Sequence, residues 1–131
     1  MKSVFSLLIT TLILTCACNN SADKAKKGLP SQMDFKEKIF DFGIVKNGST
    51  SDCSFEFKNS SEVPLIINSV IAGCGCTSIQ WPKKPIRARE TEFIKIQYTA
   101  GGVGRFRKSI TVFSNAKNSP IHLYITGEII L

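Results

Sequence analysis

Cys53-Ser54-Phe55-Glu56-Phe57-Lys58 alternates apolar and polar residues without a break, with Cys53, Phe55 and Phe57 on one side and Ser54, Glu56 and Lys58 on the other. A period of two puts successive side chains on opposite faces of an extended chain, so this stretch reads as a half-buried β-strand. The pattern recurs on both sides of it. Upstream, Ile39 to Val45 sets Phe40, Phe42 and Ile44 on one face, and Lys46-Asn47-Gly48-Ser49 supplies a turn. Downstream, Pro64 to Ile71 reads as a third strand, its apolar run too continuous for its faces to be told apart. Glu92 to Tyr98 then points Ile94, Ile96 and Tyr98 inward, Arg105 to Phe113 points Ile110 and Val112 inward, and Ile121 to Ile125 closes the series with Ile121, Leu123 and Ile125. Asn59-Ser60-Ser61, the Trp81-Pro82-Lys83-Lys84-Pro85 connector, the glycine-rich run from Ala100 to Gly104 and the polar loop from Ser114 to Pro120 punctuate these strands. Short strands with turn signals between them, and no helical period, predict an all-β domain. The architecture expected is a two-sheet antiparallel β-sandwich of about seven strands, with a barrel as the alternative.

The chain has 131 residues, 43% hydrophobic and 21% charged, which suits one globular domain plus a short leader rather than a disordered chain. The formal net charge of +7 is scattered, and Lys24-Ala25-Lys26-Lys27 is its densest cluster. That distribution reads as a soluble basic surface beside a membrane. No aromatic-basic platform for nucleic acid appears, and nucleic acid is not expected as a partner.

The N-terminus reads as an export signal. Lys2 precedes an apolar run from Val4 to Leu14, which is shorter than the ~20 residues of a spanning helix and has the length of a signal-peptide core. Leu14-Thr15-Cys16-Ala17-Cys18 follows, and a small residue directly before a cysteine at this point resembles the lipobox of bacterial lipoproteins. The resemblance implies lipidation of Cys18, which has Ala17 before it, with Cys16 as the alternative. The expected organisation is a lipoprotein signal peptide over 1–17, a polar tether over 18–34 and the sandwich over 35–131.

Ile71-Ala72-Gly73-Cys74-Gly75-Cys76-Thr77 holds two of the five cysteines. Two thiols one residue apart can bind a soft metal, close on each other across Gly75, bridge to Cys53, or sit buried as small apolar groups. A closed zinc site needs about four ligands, and Cys53 and His122, the only other candidates, fall on opposite phases of their strands. His122 is on the outward phase and reads as a surface residue. Catalysis by a Cys–His pair needs a histidine within hydrogen-bond reach of the thiol, and no acid pair is flagged by spacing, so no enzyme and no cofactor are expected. The glycine run at Gly101-Gly102-Val103-Gly104 lacks the Gly-Lys-Ser/Thr and helix of a phosphate loop. Trp81 is expected to pack over the end of the sandwich near the cysteines; with Lys83 and Lys84 beside it, the alternative is a binding surface on which a sugar or base would stack.

Phe40-Asp41-Phe42-Gly43, Phe55-Glu56-Phe57-Lys58-Asn59, Pro64-Leu65-Ile66-Ile67 running into Cys74-Gly75-Cys76-Thr77, Trp81-Pro82, Gly104-Arg105-Phe106, Ile110-Thr111-Val112-Phe113-Ser114-Asn115 and Leu123-Tyr124-Ile125-Thr126-Gly127 follow in this order. Together they resemble the DUF1573 family of exported bacterial proteins, common in Bacteroidetes, over about residues 35 to 130. The resemblance implies an immunoglobulin-like sandwich similar to ASPM/SPD-2/Hydin domains and supplies no activity. One departure stands out: the family often has Pro-Gly where this chain has Ala88-Arg89. The function expected is that of a lipid-anchored cell-envelope protein with a non-catalytic binding or scaffold domain, meeting a protein or glycan partner. The alternative is an envelope thiol-disulfide or copper-handling protein acting through Cys74 and Cys76.

Overall fold

The computed structural model describes residues 30–131; the expected signal peptide, Cys16, Cys18 and most of the expected tether lie outside the described residues. In chain order the strands are β1 (Met33–Phe35), β2 (Ile39–Lys46), β3 (Thr50–Asn59), β4 (Ile67–Ala72), β5 (Thr77–Gln80), β6 (Thr91–Thr99), β7 (Gly104–Ser114) and β8 (Ile121–Ile130). One sheet runs β1-β3-β6-β5 and the other β2-β8-β7-β4, which makes the sandwich. Every pairing is antiparallel except β2 with β8, which is parallel. A parallel pair needs no tight hairpin between its members, and most of the domain lies between these two strands in the chain.

The inward phases read from the sequence meet between the sheets. Phe55, Phe57, Ile94, Ile96 and Tyr98 face Ile110, Val112, Ile121, Leu123 and Ile125, all buried. Tyr98 stacks between Phe42 and Phe106, with ring centroids 6.0 and 4.6 Å away.

Three sequence expectations change. Ile44 does not share a face with Phe40 and Phe42: it is 71% exposed, and Val45 is buried instead. The register of β2 shifts between Asp41 and Ile44, where Gly43 takes a positive φ of 65° and its amide donates to the Asp41 carboxylate at 2.9 Å. One extra residue at such a bulge flips every later side chain to the other face. The Pro64–Ile71 run is likewise not one strand. Leu65 makes an isolated bridge with Ile86, β4 starts at Ile67, and a second register shift follows before Ser69. The ordered domain also begins before residue 35. Ser31 is buried, bridges Ala116 and donates to Asn115, and Met33 is buried in the core.

Residues 87–90 form the turn that enters β6. Arg89, the second residue of the Ala88-Arg89 departure, adopts φ 66° there, a left-handed conformation that favours glycine. The turn is held from several sides. The Arg89 amide donates to the Asn59 carbonyl at 2.9 Å, and its guanidinium donates to the Ser60 carbonyl at 2.9 Å and pairs with the Glu62 carboxylate.

Candidate functional site

The sandwich is closed on one side by edge strands from different sheets, β4 and β5, and Gly73-Cys74-Gly75-Cys76 is the crossing between them. Two backbone bonds hold the crossing. The Gly73 amide donates to the Ser109 carbonyl at 2.8 Å, and the Thr99 amide donates to the Cys76 carbonyl at 3.0 Å. Gly73 has no room for a side chain, since a Cβ there would lie 2.7 Å from Ser109 Oγ. Gly75 faces open space.

Cys74 and Cys76 are joined by a disulfide, with Cα atoms 5.4 Å apart. Cys53 is free, so the bridge from Cys53 to this pair does not form. Strand register gives the reason. Across β6, Cys53 stands opposite Ile96 from one side while Thr77, the residue after Cys76, stands opposite Tyr98 from the other. Two inter-strand spacings of ~4.8 Å, plus two or more residues along the strand, exceed the ~7 Å reach of a disulfide between Cα atoms. Thr77 sits beneath both sulfurs: its Oγ1 is 3.5 Å from Cys74 Sγ and 4.0 Å from Cys76 Sγ. Cys76 packs against the core.

The disulfide is a weak staple. It closes a ring within one loop and joins no two strands. In a chain-entropy picture a ring of three residues contributes about 1.6 kcal/mol, roughly half the contribution of a 15-residue loop.

Cys53 is half-buried on β3. Burial, and then the Asp52 carboxylate beside it, push its thiol up from 9.0 to about 12. Only the thiolate reacts with alkylating agents. We expect iodoacetamide at pH 8 to modify Cys53 in the folded protein about a hundredfold more slowly than after denaturation, with the rate following the loss of fold across a urea series. Rapid labelling of the folded protein, counted by mass, would contradict the burial.

His122 is exposed on the outer face of the β2-β8-β7-β4 sheet, where Nδ1 lies 3.2 Å from Thr111 Oγ1. Cys53 belongs to the other sheet. Among the described residues no group of three or more His, Cys, Asp or Glu side chains is placed to hold a metal ion.

Trp81 begins the connector after β5, at the far end of that strand from the disulfide. Four residues of strand, roughly 13 Å of extended chain, separate them. Trp81 does pack against the core as expected, but not near the cysteines. The Lys83 ammonium lies 2.8 Å from the centroid of its ring, a cation–π contact. Gln80, Trp81, Pro82, Lys83 and Lys84 line an open groove with Glu92, Phe93 and Lys95 of β6, so three lysines share it with one carboxylate. Phe93 is 42% exposed, an uncommon setting for a phenylalanine. The sequence reading passed over Phe93 and Lys95, although both fall on the outward phase of Glu92–Tyr98, where a large aromatic is a legible signal. Thr77 carried no signal, because its role depends on the turn before it.

Two four-stranded sheets packed face to face make an immunoglobulin-like β-sandwich, and the comparisons agree in fold. The chain belongs to the DUF1573 family, described as a protein of unknown function, which it matches over residues 33–129. A search of curated proteins returns no match. Among solved structures it is similar to an ASH/PapD-like domain of human CEP192, at 10% identity and a TM-score of 0.64, covering 77% of this chain and 87% of that one. It is also similar to a protein of unknown function from Porphyromonas gingivalis W83, at 16% identity and a TM-score of 0.62, covering 77% of this chain and 47% of that one. The Vibrio cholerae VesB protease matches at 11% identity with a TM-score of 0.57, over 85% of this chain and 35% of that one. The chain thus spans about half or less of the last two. At these identities the likeness is one of fold.

Proposed function

We propose that this chain is a lipid-anchored cell-envelope protein whose sandwich is a non-catalytic binding domain, docking a protein or glycan partner in the groove of Trp81, Lys83, Lys84, Phe93 and Lys95. The observation that carries the docking surface is the pairing of the exposed Phe93 ring and half-buried Trp81 with lysines on one open groove. Aromatic anchors rimmed by charge are what interfaces use, the rings supplying apolar contact and the lysines selecting an acidic counterpart. The leader sequence supports the anchor: cleavage before Cys18 and lipidation of its thiol leave a polar tether between the membrane and the sandwich.

Two measurements test this in cells making the full chain. Labelling with an alkyne fatty acid should mark the wild type and the Cys16→Ser variant but not Cys18→Ser, which should leave the membrane fraction. A photo-crosslinking residue at position 93 should capture a defined partner, and Trp81→Ala with Lys83→Glu and Lys84→Glu should reduce capture about tenfold or more. Equal capture from position 122, on the other sheet, would remove the groove from the account.

A further inference from the structure

We propose that Cys74–Cys76 is a thiol-disulfide exchange site for a protein dithiol, and that exchange runs through Cys74. This goes beyond the docking role and depends on neither the anchor nor the groove.

Four observations lead to it. The disulfide links two residues of one loop, while the sheet crossing it sits on is held independently by the Gly73–Ser109 and Cys76–Thr99 backbone bonds. Opening the bond therefore leaves the fold its own support. Gly75 is exposed and both cysteines are only partly buried, so an incoming sulfur can approach the pair. Cys53, the one free thiol among the described residues, is a poor nucleophile and lies across β6 from the loop, so it does not compete with a partner's dithiol for the pair. Finally, the two sulfurs are not equivalent. Cys76 packs against the core, whereas Cys74 does not and has the Thr77 hydroxyl at the shorter distance of 3.5 Å. A hydroxyl donor at that position stabilises a Cys74 thiolate, and the partner reaches Cys74 more readily.

The step balances with the dithiol as reductant. One thiolate of the partner attacks Cys74 Sγ, the Cys74–Cys76 bond breaks, and Cys76 leaves as a thiolate that takes a proton from water. A mixed disulfide now joins the partner to Cys74. The partner's second thiol loses its proton and attacks its own sulfur in that bond, releasing the Cys74 thiolate, which is protonated in turn. Two electrons pass from the partner, which becomes a disulfide, to the pair, which becomes two thiols. The reverse reaction uses the same intermediate, with Cys74 as attacking thiolate and Cys76 as the thiol that resolves it.

The full chain, solubilised from membranes and carrying Cys53→Ser, is equilibrated with reduced and oxidised dithiothreitol, acid-quenched and alkylated, and the modified cysteines are located by peptide mapping. Fluorescence of the sole tryptophan reports the fold. Both thiols should appear together and reversibly while the fluorescence of the folded protein persists. A bond that opens only when the protein denatures overturns the proposal. Single-cysteine variants then assign the roles. With oxidised glutathione, Cys76→Ser should form an adduct at Cys74 about tenfold faster than Cys74→Ser forms one at Cys76. Equal rates, or a faster Cys76, overturn the assignment of Cys74. The dithiothreitol titration, in which Cys74 and Cys76 are both intact, decides the main point whether or not either single-cysteine variant folds.

Discussion

Replacing Asn59 by Ala should lower the stability of the domain by roughly 3 kcal/mol, which is 20–60% of the total for a domain worth about 5–15 kcal/mol. Asn59 ends β3 and is fully buried. Its Nδ2 donates to the carbonyls of Val63, Ile86 and Arg87 at 2.8, 3.1 and 3.1 Å. Its Oδ1 accepts from the Ser61 amide and hydroxyl at 3.1 and 2.6 Å. Its backbone amide donates to the Glu90 carbonyl, and its carbonyl accepts from Arg89. One side chain thus satisfies backbone groups from the loop after β3 and from the turn before β6. Alanine would strip one donor from each of three carbonyls, leaving Val63 with Ser61 Oγ, Ile86 with the Leu65 amide and Arg87 with the Glu90 amide, and would take the side-chain acceptor from the Ser61 amide, so five bonds are lost at one buried position. Urea denaturation measures the loss, and a change below about 0.5 kcal/mol would mean that water replaces the amide without penalty. Asn59→Asp gives a sharper result. A carboxylate facing those carbonyls would be disfavoured, so its folded pKa would rise above the ~3.9 of an unfolded aspartate. Between those two pKa values the folded state binds the extra proton, so stability should fall as pH rises through that window and recover as pH is lowered towards about 4. A variant whose stability increases with pH over that window would contradict the geometry.

The strands of the core were legible because burial and period agree in them. Ile94, Ile96, Tyr98, Ile110, Val112, Leu123 and Ile125 are all buried, as their alternation predicts. What escaped the sequence reading was decided by contacts it does not contain. Ile44 follows a bulge whose local sign, Asp41 two residues before Gly43, is visible only once Asp41 is seen accepting the Gly43 amide. The parallel pairing of β2 with β8 is a tertiary choice between strands about 80 residues apart, and neither strand encodes its partner's direction. β5 is four residues long, too short for an alternating pattern to stand clear of the Cys-Gly-Cys turn. At the candidate site, the cysteine spacing admitted several pairings. Register along β6 removed one of them by separating Cys53 from the loop. The departure at Ala88-Arg89 was visible in the sequence, but its consequence was not: the turn keeps its left-handed residue, tied to Asn59, Ser60 and Glu62.

Gly127→Ala should be the other severe single substitution, costing about 2–3 kcal/mol in a strand where alanine is ordinarily tolerated. Gly127 lies in β8 between two neighbours. On one side it pairs with Phe106 of β7, and on the other it faces the bulge of β2 at Gly43. A Cβ at Gly127 would lie 2.8 and 2.9 Å from Cε1 and Cζ of Phe106, and 2.9 Å from the Gly43 carbonyl oxygen. The ring can move only by disturbing its stack on Tyr98, which is buried and stacks in turn on Phe42. The carbonyl can move only by reshaping the bulge that returns Val45 to the core. Both relaxations strain the same end of the sandwich, so the substitution has no cheap response. A second substitution separates the two obstacles. Phe106→Leu removes the ring but not the Gly43 carbonyl, so the pair Phe106→Leu/Gly127→Ala should recover only part of the loss expected from adding the single effects. Full recovery would place the whole cost on the ring and free the bulge from blame. No recovery would place it on the backbone, and Gly127 would then be a residue that β8 keeps for the sake of β2.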